Sequence, residues 1–331
     1  MRPHPLGPSR RAALVVAALL FCAMPSLAAN ARTSYSTVAV DGVKIFYREA
    51  GDPRAPAILL LHGFPSSSHM YRDLIPLLAD RYHVVAPDYP GFGFSDAPDR
   101  TEFKYSFEHL SQVMTRFTET VGLDRYAVYV FDYGAPIGFR MALAHPERVA
   151  AIISQNGNVY DEGLPPSFAR LKKAYVEPTE ANRNDLRPAL VPAANQRRYF
   201  AGVAEAEKLR VAPESFTLDD ALMARPGIAD IQIDLLADYW SNVEQYPQYQ
   251  AYLRTRQPPL LAIWGRNDPT FLPAGAQAFK RDLPQAEVRL LDAGHFALET
   301  HVDDIAEAIR SFLDEHPNEK SPRPAIGTLP N

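Results

Sequence analysis

Most of the information about how this chain folds lies in one short segment, Tyr129-Val130-Phe131-Asp132-Tyr133-Gly134-Ala135. An apolar run over residues 126–131 leads into it, and a helical pattern over residues 137–144 follows it. A strand, a turn of the form x-nucleophile-x-Gly and a helix make a nucleophile elbow, which lifts one side chain above a sheet. Asp132 tolerates the positive φ of that position better than most residues, and Gly134 lets the strand and the helix approach closely. Val130 stands where the usual motif has its first glycine, so the interpretation depends on the rest of the chain.

Outward from this segment, the chain alternates between apolar runs and helical patterns. The apolar runs are typical of strands buried on both faces, and Asp41-Gly42 is a hairpin signal between two earlier alternating strands. We expect eight strands, over residues 36–40, 43–49, 57–61, 83–87, 126–131, 149–154, 260–264 and 288–291. We expect helices between them over residues 71–78, 107–121, 137–144, 274–282 and 304–313. This order predicts an α/β fold, with a mostly parallel eight-stranded sheet and helices on both faces.

The alternation stops within residues 159–256, where apolar and charged residues follow helical spacing and several prolines interrupt them. We therefore expect a helical cap over residues 159–256, inserted into a core made of residues 32–158 and 257–315. The tail over residues 316–331 is proline-rich and polar, which predicts disorder.

The first residues have the pattern of an export signal. Arg2, Arg10 and Arg11 precede an apolar run over residues 12–24, and small residues follow it. We expect residues 1–31 to be a cleaved signal peptide and the protein to be exported, periplasmic or secreted. The paired arginines also resemble a twin-arginine signal. The alternative is an uncleaved membrane tether, for which the apolar run is short.

Composition narrows the possible partners. The chain has 331 residues, 47% of them hydrophobic, which is enough for a large core, and a net charge of -5. The sequence has no long basic stretch, so we do not expect a nucleic-acid partner. Cleavage of the signal would remove Cys22, the single cysteine, so we expect neither a disulfide nor a thiolate. The sequence shows no cluster of histidines and carboxylates of the kind that binds a metal, and it shows no cofactor motif, so we expect neither a metal nor a cofactor. The oligomeric state stays open.

An acid and a histidine follow Asp132 in a recognisable order. Asp268 comes after the predicted strand at residues 260–264, and His295 after the one at 288–291. Nucleophile, acid and histidine in this order are typical of α/β-hydrolases. A carboxylate nucleophile is poorly suited to ordinary amides and esters, because it is weak and a good leaving group. It suits attack on a saturated carbon that bears a halide or a strained oxygen.

A fourth motif is His62-Gly63-Phe64-Pro65, directly after the strand at residues 57–61. From about residue 38 to residue 313 the chain resembles the α/β-hydrolase superfamily, and Asp132 with this motif is similar to the epoxide hydrolase and haloalkane dehalogenase branch. The resemblance implies a cap after the sixth strand and a cis Phe64–Pro65 bond. It also implies that the N–H groups of Phe64 and Tyr133 bind an oxyanion.

The same resemblance implies a reaction in two halves. Asp132 attacks a saturated carbon of a small, largely apolar organic substrate and forms an alkyl ester. His295, oriented by Asp268, then activates the water that hydrolyses the ester.

The leaving group depends on the cap. An epoxide oxygen needs a proton, which this branch takes from cap tyrosines, whereas a halide needs N–H donors, usually from tryptophan. The cap is rich in tyrosine, and we expect Tyr239 to stabilise the leaving group, with Trp240 and Tyr199 as further candidates. The sequence favours an epoxide hydrolase. A haloalkane or haloacid dehalogenase, an esterase-like hydrolase and a non-catalytic binding module remain as alternatives.

Overall fold

The computed structural model describes residues 32–317, which form one eight-stranded sheet. The strands are β1 (Ser34–Val40), β2 (Val43–Ala50), β3 (Ala57–Leu61), β4 (His83–Pro87), β5 (Tyr126–Phe131), β6 (Val149–Gln155), β7 (Leu260–Gly265) and β8 (Glu287–Leu291). Their order across the sheet is β1-β2-β4-β3-β5-β6-β7-β8. The β1–β2 and β2–β4 pairs are antiparallel, and every other neighbouring pair is parallel. The predicted fold class is confirmed.

Eleven α-helices lie between or after these strands in the described residues. They are α1 (Leu74–Leu78), α2 (Phe107–Thr120), α3 (Gly134–Ala144), α4 (Ala169–Val176), α5 (Glu180–Asn184), α6 (Pro192–Phe200), α7 (Pro213–Met223), α8 (Ile228–Asp238), α9 (Trp240–Arg256), α10 (Pro273–Asp282) and α11 (Leu298–Glu315). Five of them, α1, α2, α3, α10 and α11, cover the two faces of the sheet.

The alternation of side chains along the central strands divides the interior into two layers. Leu59 and Leu61 of β3 point into the layer covered by α2, α3 and α10, and Ile58 and Leu60 point into the layer covered by α1 and α11. Both layers are apolar, so every residue of β3, β4, β5 and β7 is buried. This is why these strands read as continuous apolar runs.

One helix departs clearly from the sequence prediction. The last helix, α11, begins at Leu298 rather than at residue 304, and it has a kink at His301. Its first turn lacks a clear apolar stripe because Glu299 is buried there, where it forms an ion pair with Arg72 at 2.9 Å and accepts from Ser215 Oγ at 3.0 Å. A buried carboxylate with charged and polar partners replaces the apolar residue that a helix pattern would show.

The segment between β6 and β7 holds six helices, α4 to α9, and it packs over the carboxyl ends of the strands. Tyr239 connects α8 to α9 and is buried. Its ring lies against Phe107, Tyr133, Phe168 and Phe271, with centroids 5.2–6.3 Å away. An aromatic cluster therefore joins the cap to the core.

Two predictions concern residues that the structure does not describe. The signal peptide over residues 1–31 lies outside the described residues, as do residues 318–331 of the predicted disordered tail. Within residues 32–317, no helix has the length and apolar character that crossing a membrane would require.

Candidate active site

The turn after β5 has the geometry of a nucleophile elbow. Asp132 has φ of 49°, and α3 begins two residues later. A Cβ atom at Gly134 would lie 2.1 Å from the carbonyl oxygen of Leu61, and one at Gly63 would lie 2.4 Å from Asp132 Cβ. Glycine at both positions therefore allows the loop after β3 and the loop after β5 to touch.

Two backbone N–H groups hold one oxygen of the Asp132 carboxylate. The N–H groups of Phe64 and Tyr133 both donate to Asp132 Oδ1 at 2.7 Å. The Phe64–Pro65 bond is cis, as the resemblance implied. The other oxygen, Oδ2, faces His295 Nε2 at 3.6 Å, which is longer than a hydrogen bond. The structure thus fixes Oδ1 and leaves Oδ2 as the oxygen that could attack a substrate.

His295 and Asp268 meet at the carboxyl ends of β8 and β7. His295 Nδ1 donates to Asp268 Oδ2 at 2.8 Å. The same carboxylate accepts from the backbone N–H of Thr270 at 2.7 Å and from Asn156 Nδ2 at 2.5 Å. All three predicted residues of the triad, Asp132 included, are at least nine-tenths buried. The structure brings them together as one hydrogen-bonded and ion-paired group.

Asn156 is a supporting residue that sequence reasoning did not identify. It follows β6 with φ of 50°, and its Oδ1 accepts from the backbone N–H of Gly265 at 3.3 Å. Its amide therefore orients Asp268 while its own position is fixed by the adjacent strand. The sequence offered only a weak signal, an asparagine at a strand end, because Asn156 itself is not an acid.

The surroundings of His295 favour its charged form. Burial would lower the pKa of the imidazole, but the negative charge of Asp268 and the interactions with Asp132 outweigh burial and raise the pKa to about 9. At neutral pH the resting site therefore holds an imidazolium between two carboxylates.

A cavity of about 160 Å³ opens above Asp132, between the sheet and the cap. The residues that line it are Phe64, Asp132, Tyr133, Ser167, Phe168, Arg170, Leu171, Ala189, Arg198, Leu236, Tyr239, Pro269, Thr270 and Phe271. A buried cavity of about 150 Å³ is large enough to hold benzene. The cavity therefore suits a molecule with about six non-hydrogen atoms.

Two tyrosines, Tyr133 and Tyr239, line this cavity. Tyr239, predicted from the sequence, interacts through its hydroxyl with Tyr246, which also accepts from Asn158 Nδ2 at 3.2 Å. The hydroxyl of Tyr133 is buried and has no hydrogen-bond partner among residues 32–317. Burial raises the pKa of both phenols well above the usual value, so both keep their protons. The sequence analysis assigned only the backbone N–H of Tyr133, since neighbouring side chains give no hint that its ring turns toward the cap.

Tyr199, a predicted leaving-group residue, is not brought to the cavity. Its hydroxyl donates to Asp219 Oδ2 at 2.6 Å, and its ring stacks on Phe296 at 4.0 Å between centroids. Both contacts turn the side chain into the layer on the α11 side of the sheet. The prediction is corrected here, because Tyr199 and the cavity-lining Arg198 are adjacent on α6 and point in different directions.

Neither tryptophan lines the cavity. Trp240, the other predicted leaving-group residue, is half-buried on the cap, where Lys172 Nζ lies 4.9 Å from its ring centroid. Trp264 is fully buried, as expected, and its Nε1 donates to the carbonyl oxygen of Phe271 at 2.8 Å. The adjacent Tyr239 enters the cavity instead, so the register of this helix junction excludes Trp240.

Two arginines of the cap, Arg170 and Arg198, also line the cavity, and the sequence analysis did not identify them. They lie on different helices, α4 and α6, in a segment with several other arginines. No spacing rule separates them from surface arginines.

The chain is similar to several known proteins. Residues 56–302 match the family described as alpha/beta hydrolase fold. The chain is 46% identical to the uncharacterized hydrolase YNR064C of Saccharomyces cerevisiae over 280 residues, which cover 83% of this chain and 95% of the relative. It is 32% identical to haloalkane dehalogenase 2 of Mycobacterium tuberculosis, with 80% and 90% covered, and 29% identical to epoxide hydrolase A of the same species, with 83% and 96% covered.

Proposed function

This chain belongs to the α/β-hydrolase family, and we propose that it is a hydrolase that opens epoxides with Asp132 as the nucleophile. One observation supports the epoxide over the halide most strongly. Two protonated tyrosines, Tyr133 and Tyr239, line the cavity above Asp132, and neither tryptophan does. An epoxide oxygen needs a proton donor as it leaves, and phenols supply one.

In the first half of the proposed reaction, Asp132 Oδ2 attacks a carbon of the epoxide ring. A bond forms between Oδ2 and that carbon, the bond from the carbon to the epoxide oxygen breaks, and the oxygen takes the proton of Tyr239. Tyr133 donates a hydrogen bond to the same oxygen. The N–H groups that hold Oδ1 keep the carboxylate in one orientation, so Oδ2 is the oxygen that reacts.

In the second half, water attacks the carbonyl carbon of the Asp132 ester. His295 Nε2 takes one proton from that water, and the negative charge that develops on Oδ1 is stabilised by the N–H groups of Phe64 and Tyr133. The ester bond then breaks, the departing alkoxide oxygen takes the proton of the hydroxyl that water added, and the diol leaves with Asp132 restored as a carboxylate. The proton taken from water stays on His295, which restores the imidazolium of the resting site. The sum is epoxide plus water to diol.

The charge of His295 changes between the two halves. In the resting site its pKa is raised to about 9, so it is a poor base at neutral pH. Ester formation removes the charge of Asp132, and with it part of what raises that pKa. His295 then gives its proton, through solvent, to the phenolate that Tyr239 became in the first half, and it becomes able to accept a proton from water. The site prepares its base only after the first half is complete.

Carbon–halogen hydrolysis is the second candidate. The similarity to haloalkane dehalogenase 2 favours it, and the same nucleophile and base would serve. A halide would have to be held by the phenols, since no indole N–H lines the cavity.

Matched substrates distinguish the two reactions. We would compare 1,2-epoxybutane with 1-bromobutane, and 2,3-epoxypropanoate with 3-bromopropanoate, measuring diol by chromatography and bromide by ion chromatography. We expect kcat/KM for the better epoxide to exceed that for the better bromide by at least about tenfold. Bromide release without diol formation would assign the dehalogenase reaction instead, and turnover of neither class would contradict the proposal.

We also propose that the protein is exported and that residues 1–31 are its signal. Mass spectrometry of the mature chain, made from the full gene, tests this. A protein in the exported fraction that begins after Ala28 or Ala31 is the expected result. A full-length chain retained in the membrane fraction would contradict it.

A further inference from the structure

Two cationic side chains face the same cavity as the nucleophile. Arg170 of α4 and Arg198 of α6 both line it. Arg198 is half-buried, and its guanidinium carbon lies 4.9 Å from the ring centroid of Phe64, whose N–H binds Asp132. A positive charge therefore stands beside the space that a substrate would fill, on the side of the Phe64 loop.

The hydrogen bonds of Arg198 leave its charge uncompensated. Nη1 donates to Asn195 Oδ1 and Nη2 donates to the carbonyl oxygen of Ala189, each at 2.7 Å. Both acceptors are neutral, and no carboxylate of residues 32–317 forms an ion pair with this arginine. Holding a half-buried guanidinium without a paired anion is costly, and its planar fork matches a carboxylate. The hydrogen bonds to Asn195 and Ala189 fix the direction of the Arg198 side chain, but they do not neutralise its charge.

The charges around the cavity add up to a positive value. Asp132, His295 and Asp268 together carry one net negative charge while His295 is protonated. Arg170 and Arg198 bring two positive charges, so one positive charge remains. Burial lowers the pKa of Arg198 and the nearby charge of Arg170 adds to this, whereas Asp132 opposes both. An incoming anion would relieve the repulsion between the two arginines.

We propose that the natural substrate is a small carboxylate that bears an epoxide, held by Arg198 with the exposed Arg170 beside it, and with its ring over Asp132 Oδ2. The cavity volume of about 160 Å³ suits a molecule of about six non-hydrogen atoms, the size of 2,3-epoxypropanoate. The reaction part rests on the proposed function, whereas the recognition of the carboxylate does not. This changes the sequence-based expectation of a largely apolar substrate.

Kinetics on an isosteric pair test the role of Arg198. The acid 2,3-epoxypropanoate and its amide, 2,3-epoxypropanamide, have the same shape and differ in charge. We expect wild-type kcat/KM for the acid to exceed that for the amide by about 10- to 100-fold. Arg198→Met, which keeps the apolar stem, should abolish that preference by lowering kcat/KM for the acid much more than kcat/KM for the amide. Arg198→Lys should retain part of the preference.

A neighbouring residue supplies the matched control. Arg197 is exposed and does not line the cavity, so Arg197→Met removes the same charge without changing the lining. Its preference for the acid should equal that of the wild type. Equal losses for acid and amide in Arg198→Met would assign a merely structural role to Arg198 and overturn the proposal. A wild type that prefers the amide would also overturn it.

A binding measurement separates this inference from the proposed reaction. Cyclopropanecarboxylate has the shape of the epoxide acid but no reactive oxygen, and calorimetry can compare it with cyclopropanecarboxamide. We expect the carboxylate to bind the wild type and Arg197→Met, and to bind Arg198→Met about tenfold or more weakly. If no epoxide is turned over but this pattern appears, the proposed function fails and the carboxylate site stands. Equal binding of the carboxylate by all three proteins would overturn the site.

Discussion

The two sides of the cavity are built in different ways. The floor, which we define as Asp132, His295 and Asp268, lies at strand ends and is fixed by short hydrogen bonds from backbone N–H groups and from Asn156. The roof, which we define as Tyr239, Arg170 and Arg198, comes from three cap helices or their junctions and is positioned mainly by aromatic packing and neutral hydrogen bonds. In the proposed reaction, the floor residues carry out the chemistry and the roof residues select the substrate. Changes in the floor should therefore reduce the rate for every substrate, and changes in the roof should act selectively.

The largest effect should come from the nucleophile. Asp132→Asn keeps a residue that tolerates positive φ and an oxygen for the two N–H donors, but it removes the attacking carboxylate. We expect kcat/KM to fall by about 10⁴- to 10⁶-fold for every substrate. Steady-state kinetics checks this, with Asp124→Asn, a change at an exposed aspartate, as the control. Substantial activity in a well-folded Asp132→Asn enzyme would mean that another residue attacks.

The base of the second half should be separable from the nucleophile. His295→Gln leaves Asp132 able to attack, so the ester forms and then persists, and kcat should fall by about 10⁴-fold. Mass spectrometry of the tryptic peptide over residues 126–140, in which Asp132 is the one acidic side chain, should show the added mass of the substrate. Wild-type turnover, or slow turnover without any ester, would remove His295 from this role.

A roof residue should have a smaller and more selective effect. Tyr239→Phe removes the proton donor while Tyr133 can still donate, so we expect the rate of ester formation from an epoxide to fall by about 10- to 100-fold. Ester formation from a matched bromide should change much less, because a halide takes no proton. Rapid-quench measurements with both substrates check this. Equal losses for both would show that Tyr239 acts through packing alone.

The pH dependence should differ between the resting enzyme and the ester. In the resting enzyme His295 has a pKa raised to about 9, and loss of the Asp132 charge removes two of the influences that raise it. The pKa in the ester should therefore be lower by about one unit or more. Ester hydrolysis should then decline only when the pH falls below this lowered pKa. NMR titration of His295 in the resting enzyme, set beside the pH profile of ester hydrolysis in single turnovers, measures the separation. If the pKa of His295 in the resting enzyme equals the pKa from the profile of ester hydrolysis, the proposed change in the charge of His295 is contradicted.

The floor was predictable from the sequence, and the roof was only partly so. Asp132, Asp268 and His295 each follow an apolar strand, and parallel strands bring their carboxyl ends to one edge. The order of the strands therefore brings the three residues together whatever the helices do. Asn156 received no role from the sequence because it is not a carboxylate, and no motif distinguishes a supporting amide from a turn residue.

Roof residues depend on the register and tilt of the cap helices. Tyr239 and Trp240 are neighbours, yet the junction of α8 and α9 turns one into the cavity and the other away from it. Arg198 and Tyr199 are also neighbours, and there the arginine enters the cavity while the tyrosine reaches Asp219. A shift of one residue along the helix would exchange which neighbour enters the cavity. Packing of the cap helices against the core decides which of the two it is. The start of α11 was missed for a similar reason, since the burial of Glu299 follows from its contact with Arg72.

The most direct test of the covalent route is a single turnover in water enriched in oxygen-18, with enzyme in excess over an epoxide, followed by digestion in ordinary water. The peptide over residues 126–140 should gain one heavy oxygen in the Asp132 carboxylate, and the diol from that first turnover should carry none. A labelled diol together with an unlabelled peptide would show that water attacks the substrate directly, and it would contradict Asp132 as the nucleophile.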